Sequence, residues 1–509
     1  MRYIRIGNVS GATGDSPHAM LEMVKEGSVD VIVGDWLSEM NIAWNAIIKQ
    51  ENTDLGYEAG FLEQLEESID TIVEKGIKVI TNAGALNTPS LAREVQKLCD
   101  ARHHGNIVVA AVTGDDISEL LQDSEQMSRL GLSHLDHEEC LLSDWDMKPL
   151  CGNAYIGAGG IRTALDAGAD IVICGRVTDA SPVMGAASWW HKWQDEDYHA
   201  LAGALVAGHL IECGPYFLYE LQGELYLNPD VVVDLRGVRV EESGTVDCVH
   251  VSGARGLPPP ATTKAIIAAP GGFQAEANFY INGLDAVSKA EMMKAQITDA
   301  FKGSDFRKLS VELYGSQAVN PNSQQAGTLM LRVFAQARCK DSIDRDEFLK
   351  PIYALRMQSY PGYHMSLDFR TMQPKPFMEM FPVIIPMDLL SQQVTIQKSK
   401  TIIAVPSPAK TANYPVVRPS YETPEPVDLN TFGPVKSAPI GSVVHARSGD
   451  KADNSNVGFF VRHDDEYPWL KSMLTVSKLK ELLGQDWEGR EGKSVVERCE
   501  FPNILAVHL

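Results

Sequence analysis

No two of the eight cysteines in this 509-residue chain are spaced as CxxC, and several sit in apolar runs such as the one ending at Cys174. They read as reduced thiols, most of them in packed structure, rather than as a disulfide framework. No uninterrupted apolar run approaches the length of a bilayer span, which argues against a membrane protein. No block of Lys or Arg is present either. The 67 acidic residues outnumber the 45 basic ones, and the formal charge of -22 repels nucleic-acid phosphates and anionic membrane surfaces, so neither is an expected partner. The N-terminus lacks the charged and long apolar regions of a secretory signal, and the cytoplasm is the expected compartment. The first glycine-rich loop, residues 7–15, has the pattern GxxxGxxGD. That is neither a nicotinamide or flavin dinucleotide fingerprint nor a phosphate-binding loop with its lysine.

What is present is the pattern of a large α/β protein. With 44% hydrophobic and 22% charged residues the chain is ordinary globular material, and its length predicts two or three domains. Five apolar, β-branched runs (residues 3–7, 29–34, 77–84, 107–114 and 169–175) each end at glycine and alternate with helix-like stretches. Their hydrophobicity is continuous rather than alternating, which implies strands covered on both faces. A doubly wound, mostly parallel sheet follows. A helix over 285–301, strands over 309–314 and 329–335 and a helical stretch over 342–358 suggest a second, α+β region. Eight prolines between 406 and 439 mark an extended linker, and residues 440–509 suffice for a small α+β module. The expected division is therefore 1–215, an α/β domain with a strand-end ligand site, then 216–405, the linker 406–439, and 440–509.

Ligands of open α/β sheets bind at the carboxyl ends of the strands, where backbone amides and helix N-termini converge. There the loops carry Gly11, Gly14 and Asp15, then Asp35 and Glu39, Asn82, Asp115 and Asp116, and finally Arg176, Asp179 and Ser181. Like charges gathered there need a compensating arginine, proton or cation. Arg176 is one candidate and a Mg²⁺-type ion at Asp35 and Asp116 another. Arg176 either holds an anionic substrate bidentately or braces its loop through Asp179. Asp15 either faces a ligand or caps the following helix. His209 and Glu212, three residues apart on an apolar helix, form either an acid/base pair or a packed couple, and Cys213 reads as a plain thiol. Near the C-terminus, the run from His445 to Asn456 reads as a polar loop after a strand. In it Arg447 and Lys451 either receive an anionic group or belong to a solvated, salt-bridged loop.

The series Gly34-Asp35, Thr113-Gly114-Asp115-Asp116, Gly175-Arg176-Val177-Thr178-Asp179-Ala180-Ser181, Gly208-His209-Leu210-Ile211-Glu212-Cys213-Gly214 and Leu225-Tyr226-Leu227-Asn228-Pro229-Asp230 resembles the acyclic terpene utilisation (AtuA) family over nearly the whole chain. The tail around Arg447-Ser448-Gly449-Asp450-Lys451 resembles the ferredoxin-fold module that follows it. The resemblance implies work on branched, isoprenoid-derived acyl-CoA or carboxylate compounds. It also implies a glycine-rich insertion after Cys213 that is missing here near Pro215, and a tail running beyond Leu509. The expected function is a lyase or hydratase taking an anionic small molecule, acyl-CoA among them, with Asp15, Asp115, Asp179, His209 and Glu212 as candidate catalytic groups. Gly11, Gly14, Asn82, Arg176, Ser181, Arg447 and Lys451 are the candidate substrate contacts. A non-catalytic subunit of an acyl-CoA enzyme is one alternative. An acyl-CoA hydrolase or transferase is another, and it requires Ser181 or Cys213 close to His209. A homo-oligomer is expected.

Overall fold

The computed structural model describes residues 2–214, 223–245, 247–316, 318–358, 360–415, 418–434, 436–451, 454–488, 490 and 495–509. The chain forms two compact units, the first comprising Met1–Ser143, Cys151–Ile266 and Pro382–Leu509, the second Asp144–Leu150 and Ile267–Phe381.

In the first unit, strands β1 (Ile6–Asn8), β2 (Val31–Gly34), β3 (Lys78–Thr81), β4 (Val109–Thr113) and, after β5 (Cys151–Ala154), β6 (Ile171–Cys174) provide five parallel strands of one sheet. Their order is β1-β2-β3-β6-β4, with Gln393–Ile396 and Ile402–Ala404 closing the edge antiparallel. The expected doubly wound α/β sheet is thus present. The continuous apolar runs have the predicted cause. Ile32, Val79, Ala111, Ile171 and Ile173 face one core, while Val31, Val33, Ile80, Val112 and Val172 face another. Alternate residues of a strand point to opposite faces, so a strand buried on both sides must be apolar throughout. Helices α1 (Ala19–Glu26), α3 (Ala59–Lys75) and α4 (Thr88–Ala101) cover the first face, and α6 (Gly159–Asp166) and α7 (Ser181–His191) the second. Helix α2 (Glu39–Glu51) begins behind β2 with Ser38 as its cap, and α5 (Ser124–Leu130) lies between β4 and β5. The long apolar helix α8 (Tyr198–Glu212) packs against Val231, Val233 and Leu235 and against Phe501, Ile504 and Ala506 of the C-terminal module.

That module is a four-stranded antiparallel sheet ordered His445–Lys451, Asn454–Phe460, Ala506–His508, Cys499–Phe501, with helices Tyr467–Met473 and Val476–Leu483 between strands, the ferredoxin-like arrangement expected. One local reading is corrected: His445 to Lys451 is not a loop but a strand, pairing residue for residue with Asn454–Phe460. Arg447 and Ser448 are exposed on it, and the backbone hydrogen bonds of such a ladder need no apolar pattern. Arg498 is buried in this module and donates to the carbonyls of Leu474, Tyr421 and Lys471 at 2.9 Å each and to Glu500.

The second unit is an α+β layer in which the C-terminal half of strand Thr262–Asn282 pairs antiparallel with Thr328–Ala337, which pairs with Lys308–Tyr314. Helix Ala286–Ala300 packs on it through Ala290, Met293 and Ile297. The helical stretch expected over 342–358 is present without a break from Arg345 to Met357: Asp344 starts it by capping the amides of Asp346 and Glu347, and its pitch changes from π over Arg345–Leu349 to α over Lys350–Ala354, where Pro351 lacks a donor, and to 3-10 over Leu355–Met357. Among the described residues, no helix is long and apolar enough to cross a membrane.

Candidate functional site

Gly34, Gly84 and Gly175, at the ends of β2, of β3's loop and of β6, leave room for Trp36, for the Cys174 carbonyl and for Asp115, and the three loops each deliver a polar group to one buried network. Asp35 follows β2, and its Oδ1 accepts from Leu37 N at 2.9 Å and from Asn82 Nδ2 at 2.6 Å. Asn82 follows β3 and accepts from Trp36 N at 2.8 Å with its own Oδ1, so both ends of the amide are used. Arg176 follows β6. Its backbone N–H donates to Asp115 Oδ2 at 2.7 Å, its guanidinium to the Leu37 carbonyl at 3.1 Å and to Asp179, and its plane lies 4.1 Å over the Tyr155 ring. Only 3% of Arg176 is exposed, so these partners stand in for most of its hydration, while its buried Nε has no hydrogen-bond partner. Tyr155 donates to Glu39 Oε1 at 2.5 Å, and Lys264 reaches the same oxygen at 3.2 Å.

The electrostatics are those of acids crowded around one buried cation. Burial works against the charge of Arg176, yet Tyr155, Asp179, Asp35 and Glu39 hold it protonated above its ordinary value. Burial, and then the nearby Asp179, push the Asp35 carboxyl well up, although Arg176 opposes them. Glu39 is held below the usual carboxylate range despite burial, by Lys264, Tyr155 and Arg176. Asp115 is pushed up to about 6, chiefly by burial, against the hydrogen bonds from Arg176 and Asn153.

Asp115 therefore has a predictable effect on stability. Its carboxyl titrates near 3.8 when unfolded and near 6 when folded, so the fold holds the proton to higher pH. The contribution is fully present below the unfolded value and is lost as pH rises through about 6, a difference of roughly 3 kcal/mol by linkage. Asp115→Asn is expected to flatten the stability profile between about pH 4 and pH 7, read from urea midpoints at the two ends. An unchanged slope would show that Asp115 does not carry it.

Beside this network lies a cleft of about 630 Å³ whose lining includes Ser10, Gly11, Asp15, Glu212, Cys213 and Arg447. Asp15 does not cap α1, whose first-turn cap position is His18 without a side-chain bond. Its Oδ2 instead accepts from Gly11 N at 2.7 Å and Ala12 N at 3.1 Å, fixing the loop, which turns on through Gly14 at positive φ. Asn8 tethers the loop to the end of α8 through the Ile211 carbonyl at 3.0 Å. There His209 Nδ1 lies 3.8 Å from Glu212 Oε2, and Cys213 Sγ lies 2.5 Å from that same oxygen. The His209 ring stands edge-on to Tyr226 at 5.1 Å. Partial burial and Glu212 push the Cys213 thiol up, which disfavours a thiolate nucleophile. Arg447 enters from the C-terminal hairpin, where it also donates to the Ser448 carbonyl.

The fold thus gathers Asp15, Gly11, Glu212 and Arg447 at the cleft, with His209 behind Glu212. Asp35, Asn82, Asp115 and Arg176 form the network behind, and Asp179 ion-pairs with Arg176 at its more open edge. Ser181 is fully buried at the start of α7, its hydroxyl 2.6 Å from that of Thr178. Asp116 is exposed and accepts from Ser118 N in its own turn, apart from Asp35. The Lys451 side chain and the junction at Pro215 lie outside the described residues. Sequence reasoning gave no site role to Tyr155, Lys264 or Asn153. The only available signal was a polar residue in an apolar stretch, which does not reveal its partner.

Two family descriptions match the chain: "Acyclic terpene utilisation family protein AtuA" over residues 4–217 and 216–396, and "AtuA ferredoxin-like domain" over residues 438–509. No curated protein matches it significantly. The two segments of the first match overlap at residues 216–217. Together they cover most of the chain, cleft and network included, so the protein belongs to the acyclic terpene utilisation (AtuA) family, carries that family's ferredoxin-like domain at its C-terminus, and is thereby associated with acyclic terpene utilisation.

Proposed function

We propose that this protein is an enzyme of the lyase or hydratase type acting on a branched, isoprenoid-derived acyl-CoA or carboxylate in the cleft between the 9–16 loop and the end of α8. The observation that carries this reading is the composition of the cleft wall: an arginine, Arg447, faces the same space as two carboxylates, Asp15 and Glu212. Addition or elimination of water next to a carbonyl needs an anchor for the anionic group and a carboxyl to move the proton, and these residues supply both. Arg447 receives the anion, Asp15 and Glu212 handle the proton, and the buried Arg176 network fixes the loops that hold them. The family association with acyclic terpene utilisation supports a branched substrate.

The test is turnover on a panel of branched acyl-CoAs and their free acids, followed as water gained or lost by mass. Arg447→Ala is expected to raise KM about 10- to 100-fold with a small change in kcat, as removal of a shared ground-state and transition-state contact does. Glu212→Gln is expected to lower kcat by about 100-fold or more at similar KM. Wild-type KM in Arg447→Ala would remove the anion assignment, and retention of full turnover in both variants would remove the cleft.

A further inference from the structure

We propose that His209, Glu212 and Cys213 bind one divalent transition-metal ion of the zinc class at the end of the cleft. The positions follow the i, i+3, i+4 spacing, so the end of α8 places all three side chains on one face. Their ligand atoms lie within 4.8 Å of one another, and Glu212 Oε2 is the common neighbour of the imidazole and the sulfur. Imidazole, thiolate and carboxylate suit zinc; magnesium and calcium select oxygen donors. Three protein ligands leave a fourth position, the arrangement of catalytic rather than structural zinc, and Glu212 and Cys213 both line the cleft, so that position opens on it. The inference rests on the cleft of the proposed function and deepens it: an ion held here would polarise the carbonyl of a substrate anchored at Arg447, and with Glu212 holding the ion the proton handling shared above by Asp15 and Glu212 would fall to Asp15 alone.

The experiment uses the full chain, stripped with chelator and reloaded with Zn²⁺ or Co²⁺, with native mass spectrometry for stoichiometry and absorption spectroscopy for the thiolate-to-cobalt band. The expected result is one ion per chain and a cobalt band in wild type. In Cys213→Ser the band disappears and zinc affinity falls by at least about 100-fold, beyond what loss of an outer-sphere partner costs. Cys248→Ser, which removes an exposed thiol elsewhere, keeps both. His209→Gln, checked for folding by circular dichroism, weakens zinc as Cys213→Ser does. Failure of wild type to bind zinc, or equal binding by Cys213→Ser, overturns the site. Stoichiometric zinc without turnover on any acyl substrate leaves the site and sinks the functional reading; turnover by protein that cannot bind zinc does the reverse.

Discussion

Arg176→Met is expected to lower the stability of the first unit by about 3–5 kcal/mol, the loss typical of removing one partner from a buried ion pair. The shape and apolar contact of the side chain are largely kept, so the loss reports the charge. Without the guanidinium, the Leu37 carbonyl loses its donor, Asp179 its ion-pair partner and Tyr155 the cation over its ring. Asp35, already pushed up by burial and by Asp179, loses the one neighbouring positive charge that opposes them. The pH dependence of the loss has a definite sign. As pH falls, Asp35 takes up a proton before an ordinary carboxyl would, so the deficit of Arg176→Met narrows toward acid and widens toward neutral pH. Arg176→Lys is expected to recover only part of it, since an ammonium cannot reach Leu37 and Asp179 together while stacked on Tyr155. Urea midpoints at two pH values measure all three proteins. A loss below about 1 kcal/mol for Arg176→Met would mean that solvent already screens the cluster, as at an exposed pair.

Gly175→Ala is the second large effect, expected at about 3 kcal/mol or as failure to accumulate folded protein. A Cβ at Gly175 would lie 2.4 Å from Asp115 Oδ2 and 2.5 Å from Oδ1. A carboxylate at the end of a free side chain would swing away, but this one is pinned by the Arg176 amide and by Asn153 Nδ2 at 2.9 Å. Gly157→Ala meets the same obstacle, with a Cβ 2.2 Å from Asp230 Oδ1, while Asp230 Oδ2 holds the Ala158 amide at 2.8 Å ahead of α6. Gly203→Ala is the control: exposed within α8, with nothing within 4 Å, it is expected to stabilise by about 0.5–1 kcal/mol through helix propensity and a less flexible unfolded chain. Thermal midpoints of the three variants check the ranking. Equal, small losses at Gly175 and Gly157 would show that the buried carboxylates are free to move.

The sheet was legible because burial on both faces leaves a one-dimensional trace. The five runs over 3–7, 29–34, 77–84, 107–114 and 169–175 correspond to the five parallel strands within a few residues, although Gly7 lies inside β1 and, of the five glycines, Gly114 alone turns at positive φ. The polar hairpin at His445 was misread because a ladder exposed to solvent imposes no apolar period. The helical stretch at 342–358 was legible as well, running from Arg345 to Met357, whereas its change of pitch near Pro351 was not.

The sequence by itself determined the class of the fold, the location of the polar loops at the carboxyl ends of the strands and, through its motifs, the family. It also left Arg176 and Asp179 three residues apart, where an ion pair forms within one turn. Only the tertiary structure decided which loops share a space. It brought Arg447 to a cleft whose other residues lie more than 200 positions earlier, set Tyr155 and Lys264 against Glu39, and turned Asp15 toward Gly11 rather than toward α1. The physical reason is that burial and helix periodicity act between neighbours along the chain, and so write a pattern into the sequence. Pairing between side chains from separate elements depends on strand order and helix packing, and leaves no such pattern.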